Sequence, residues 1–191
     1  MNIKAKIVLG WIVVISFAFV SSPTFVSGEE AIIDNFSLSN DKESLIISFY
    51  VKNCFNKKME EAISAGVPTT FNFFIRLYKK RSFIWDKRVL YYQFRHNIIY
   101  DNLKKDFRIW LEEKEKEIRV KDLEEAKVYM AKVEGFTLAS LKGLKGGDYE
   151  LAIKAELDPV KLPLRLECIL FFVSLWDFET NWFYHPFRME L

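Results

Sequence analysis

The sequence is short of the residues that build metal centres and repeats: 2 cysteines, 2 histidines, 7 glycines and 5 prolines in 191 residues. Two Cys and two His at unrelated spacings make no zinc-type ligand set, so no metal is expected. So little Gly and Pro excludes collagen-like and low-complexity chains. An excess of one charge is missing too: 28 Lys plus Arg face 26 Asp plus Glu. That balance gives no case for nucleic-acid binding through charge. Nucleophile elbows, zinc-protease helices, phosphate loops and dinucleotide fingerprints are also absent, and no cofactor is expected. Gly143, Gly146 and Gly147 match no phosphate-cradling spacing and serve a flexible turn.

Apolar surface is what the chain has in quantity. Half its residues are hydrophobic and 16% are aromatic, which supports a packed core. The length suits one domain plus a targeting segment. Lys4 and Lys6 precede an uncharged run over 7–20, shorter than the roughly 20 residues a spanning helix needs. Small residues at Ser27 and Gly28 put a peptidase site near Gly28. Residues 1–28 therefore read as a signal peptide and 29–191 as a single extracytoplasmic domain, periplasmic or secreted. An uncleaved membrane anchor is the alternative, since no charge appears until Glu29. Loss of 1–28 removes two lysines and no acid, leaving a formally neutral domain.

Period-two alternation dominates that domain. Ile47, Phe49 and Val51 alternate with polar neighbours, as do Phe71, Phe73, Ile75 and Leu77. The pattern returns over 89–99, at Tyr149 to Leu157, and over 164–172. Long strands in succession predict antiparallel pairing. Leu103 to Arg119 has helical composition, yet Phe107, Ile109 and Leu111 alternate. A strand, a charged turn near 113–116 and a short return strand are expected there. Asn56 is placed to cap a short helix carrying Met59, Ala62 and Ile63, ended by Gly66 and Pro68. Asp122 with Glu125 opens a second helix, expected to run through Met130 and Val133 until Gly135. The expected fold is mainly β: an antiparallel sandwich or strongly curved sheet, with one helix across an open end.

Cys54 and Cys168 could pair in an oxidising compartment if their Cα atoms came within about 7 Å; a buried free thiol is the alternative. His96 falls on the core side of its strand and reads as a hydrogen-bonded structural histidine. Asn35-Phe36-Ser37 matches the glycosylation sequon. Two aromatic clusters are the binding candidates. In the first, Trp85, Asp86 and Lys87 lie where one strand turns into the next, with Trp85 placed to cover the core edge and Asp86 to cap the turn. In the second, Trp176, Asp177 and Trp182 belong to a ring-rich segment that either seals one end of the sheet or offers a platform for a glycan, lipid or protein. Asp86, Asp177 and Glu179 are the carboxylates a glycan hydrolase would use as acid and base.

The order of these pieces resembles the bacterial family known as domain of unknown function 4390. The resemblance is carried by Met59-Glu60-Glu61-Ala62 followed by Gly66-Val67-Pro68, by Trp85-Asp86-Lys87, and by Tyr100-Asp101-Asn102-Leu103 before Phe107. It continues through Leu123-Glu124-Glu125-Ala126, Tyr149, Leu162-Pro163-Leu164, Trp176 and Trp182. It implies a small exported protein, sometimes encoded near a membrane histidine kinase, and supplies no catalytic residues. The resulting expectation is a non-enzymatic envelope binding or interaction module, with an envelope or inner-membrane protein as partner. A glycan hydrolase and a strand-edge chaperone are the alternatives.

Overall fold

The computed structural model describes residues 29–41, 43–82, 85–158 and 178–190. Among the described residues nine strands form two antiparallel sheets. The smaller sheet has the order β1 (Ile32–Asn40), β2 (Ser44–Lys52), β7 (Lys132–Ser140). The larger has the order β6-β5-β4-β3-β8-β9, from β3 (Thr69–Lys79), β4 (Lys87–Asp101), β5 (Asp106–Leu111), β6 (Lys116–Val120), β8 (Gly147–Leu157) and β9 (Phe183–Met189). The fold is the mainly β, two-sheet arrangement that the alternation predicts.

The core lies between the sheets because every second residue of the central strands is apolar. Phe71, Phe73, Ile75 and Leu77 of β3 are fully buried. They meet Ile47, Phe49 and Val51 of β2, with the Phe49 and Phe73 rings edge-on at 6.0 Å between centroids. The region from Leu103 to Arg119 folds as expected: β5, a turn at Glu112–Lys114 and β6.

Helix α1 (Lys57–Ser64) starts at Asn56, whose side chain accepts from the Met59 N–H at 2.9 Å, and it buries Met59, Ala62 and Ile63. Gly66 follows at φ +90, where any Cβ would sit 3.0 Å from the Asn102 amide nitrogen. Helix α2 (Leu123–Ala131) starts at Asp122, which accepts from the Glu125 N–H at 2.9 Å. Lys127 of α2 reaches Glu60 of α1 at 2.6 Å, and α2 touches strands of both sheets. The two helices cover the end of the sandwich beside the C-terminal half of β4.

The second helix corrects the sequence reading. It stops at Ala131, short of Gly135, and Lys132–Ser140 is the edge strand β7. The open edge of β2 takes up the backbone groups of this segment and buries Val133 against Phe49, which a fraying last helical turn would not do. Gly135 then sits in the strand at φ +68, its N–H held by Ser48 Oγ at 2.9 Å. The strand expected over 164–172 lies outside the described residues.

Candidate functional site

The six-stranded sheet turns one face to the core and the other to solvent, and the outer face carries the polar chemistry. Across β3, β4, β5 and β6 the register aligns Thr70, Asn97, Trp110 and Glu117 in one row, with Ile99 and Arg108 in the next. Together with Arg95 and Glu112 these residues line a groove of about 390 Å³. Asn97 donates its amide to Thr70 Oγ1 at 2.8 Å, which fixes the orientation of the groove floor. The Trp110 ring is 43% exposed beside it.

The charges of the groove divide into held and available. Glu112 accepts from the Arg95 backbone N–H at 2.8 Å and from its guanidinium Nε at 3.2 Å. Those hydrogen bonds hold the Glu112 carboxyl below its ordinary range. Glu117 is taken by Arg119 at 2.9 Å. Arg108 is exposed and has no acidic partner among the described residues. The groove therefore offers one uncommitted guanidinium, one half-exposed indole and several hydrogen-bonding side chains.

Further along the same face a cation and ring stack closes the surface. Arg76 lies 4.2 Å from the centre of the Trp182 ring and 5.8 Å from that of Tyr91. Lys154 also approaches Trp182, at 6.0 Å from the ring centre. Of the aromatic segment named from the sequence, Trp182 is thus half-buried under cations. The following residues form β9, which extends the sheet edge: Phe183 and Phe187 are partly buried and Tyr184 is 55% exposed. Trp176, Asp177 and Cys168 lie outside the described residues.

Trp85, Asp86 and Lys87 stand at the opposite end of the sheet from the helices. Trp85 does not cover the core edge; it is 92% exposed. Asp86 anchors the turn, accepting from the Arg81 N–H at 3.2 Å and pairing with Lys80 at 3.0 Å. The bond from Lys80 holds the Asp86 carboxyl below its usual range, the reverse of what a general acid needs. Glu179 is paired with Lys154.

His96 is structural, as its position on the strand predicts. It is fully buried, with Nδ1 at 3.0 Å from the Met130 carbonyl and Nε2 at 2.9 Å from Glu113. A carbonyl only accepts, so Nδ1 carries a proton, and one further proton lies between Nε2 and the carboxyl. No ring nitrogen is left for a substrate. Cys54 is buried, its thiol pushed up to about 12 by desolvation, and so stays protonated. Among the described residues no group of three or more His, Cys, Asp or Glu side chains is placed to hold a metal ion. No helix among them is long and apolar enough to cross a membrane.

Arg95, Arg108 and Trp110 were not among the sequence candidates. The signal was present: the outward alternates of the Phe107, Ile109 and Leu111 strand are an Arg and a Trp. Only the register of β4 on β5 sets them beside Asn97.

The family profile described as Domain of unknown function (DUF4390) matches residues 28–185. The chain belongs to the DUF4390 family. The match spans every element described above except the last residues of β9. No curated protein and no solved structure matches the chain. The reading of a DUF4390 domain therefore rests on its own residues.

Proposed function

We propose that this DUF4390 protein is an exported, non-enzymatic binding module of the cell envelope that works beside an envelope or inner-membrane protein, a membrane signalling protein among the partner classes. Its ligand enters the groove on the outer sheet face. The observation that carries the reading is the pairing of Trp110, 43% exposed, with the uncommitted Arg108 two residues away on the same face. An indole face stacks on the apolar side of a sugar ring, while Arg108, Asn97 and Thr70 supply hydrogen bonds to its hydroxyls and carboxylates. A carboxylated envelope glycan is the ligand class these groups fit. The leader pattern of residues 1–28 supports export.

A hydrolase reading gains nothing from the described carboxylates. Asp86 and Glu179 each sit in an ion pair, and Asp86 is held in its charged form.

Calorimetric titration with solubilised peptidoglycan fragments tests the proposal. Saturable binding that weakens at least tenfold in Trp110→Ala and in Arg108→Ala is expected. Absence of binding, or equal affinity in both variants, would refute the groove as the site.

A further inference from the structure

We infer that the β3–β4 end of the sandwich docks on a bilayer surface carrying anionic lipid. Trp85 projects there with 92% of its surface in solvent. Around it Arg81, Lys87 and Arg88 are exposed and have no acidic partner among the described residues. Arg88 lies 5.6 Å from the centre of the Tyr91 ring, which holds it near the tip. Lys79 stands behind them, its ammonium donating to the Gly146 carbonyl at 3.1 Å, and Lys145 is exposed on the same loop.

The acids of this end are already engaged. Asp86 and Glu150 share Lys80 at 3.0 Å each, and Asp148 faces Arg188 at 3.9 Å. A chain with nearly balanced charge thus keeps a local positive surplus where the most exposed ring among the described residues stands. Trp is favoured at the membrane interface because its ring is apolar and its N–H polar. Each Lys or Arg brought to an anionic surface is worth about fivefold in partitioning.

Charge favours an anionic bilayer over a protein partner. Among the described residues this end offers Trp85 and the basic side chains around it, whereas a stable protein interface needs about 800 Å² per side and a matched surface. A fluid interface needs neither. Docking at the tip would hold Asn97, ten residues along β4, about 30 Å above the membrane at the strand rise of about 3.3 Å per residue, so the groove would stay open. The inference goes beyond the groove and stands without it.

The test is co-sedimentation of the protein, as recovered from its producing cells, with vesicles of phosphatidylcholine alone or mixed with phosphatidylglycerol. The expected result is partition onto the mixed vesicles only, weakened by added salt. Lys87→Glu with Arg88→Glu should lower it at least tenfold. Trp85→Ser should also lower it, leaving the thermal midpoint unchanged because the ring touches no core. Equal partition onto both vesicle types, or partition indifferent to the charge reversal, would overturn the inference. So would Trp85-dependent capture of a protein without vesicle binding, which would make the tip a protein-docking site.

Discussion

The buried pair of His96 and Glu113 shows how a polar residue can hold a fold without taking part in chemistry. Both side chains are almost fully buried, and the Glu113 Oε1 atom has no hydrogen-bond partner. Removing one member strands the other, so His96→Leu should cost about 3–5 kcal/mol. Replacing both with His96→Leu and Glu113→Leu should recover most of that loss, because an apolar pair of similar volume avoids the desolvation cost. Urea unfolding midpoints of the two variants check this. Cys54 carries a pH consequence. Its thiol ionises near 9.0 when unfolded and near about 12 when folded. The folded state keeps its proton longer, so stability is unaffected below pH 9.0 and falls as pH rises from there toward about 12. Chemical unfolding in buffers across that window should show a decline that Cys54→Ala reduces.

At the scale of elements, the caps and the edge strand are the places where single changes read out. Asn56→Ala and Asp122→Ala each remove the acceptor for a helix N-terminal N–H and should cost about 1 kcal/mol. Gly135→Ala tests the edge strand differently. Nothing lies within 4 Å of a Cβ built there, so any loss comes from φ +68 alone, about 1 kcal/mol. An unchanged unfolding midpoint would mean that the backbone at Gly135 relaxes out of this conformation. The legibility of the elements divides along the same lines. Strands β2, β3, β4 and β8 were legible because each presents a run of alternate buried residues, Phe71 to Leu77 being the clearest. Strand β7 was not, because its buried residues Val133 and Leu138 are five apart and a glycine interrupts them. Strand β1 slips register between Asp34 and Ser37, which hides its alternation.

For the whole molecule, the two faces of the larger sheet divide the work. Its inner face, with Phe73, Phe94 and Ile109, holds the fold; its outer face, with Asn97, Arg108 and Trp110, lines the groove. The fold class could be seen from alternation alone, but the groove could not, because it exists only once β3, β4, β5 and β6 pair in register. The groove should also respond to acid. Glu112 is held ionised by Arg95, so the pair is intact above the ordinary carboxylate value of 4.5 and is lost as pH falls through the lower folded value. Ligand affinity should therefore hold from neutral pH through the ordinary carboxylate value of 4.5 and drop only as pH falls through the lower folded value, as titrations at a series of pH values would record. The most direct test is amide chemical-shift mapping of the isotope-labelled protein as peptidoglycan fragments are added. Shifts centred on Thr70, Asn97, Ile99, Arg108 and Trp110 are predicted; shifts centred elsewhere, or none at saturating ligand, would contradict the account.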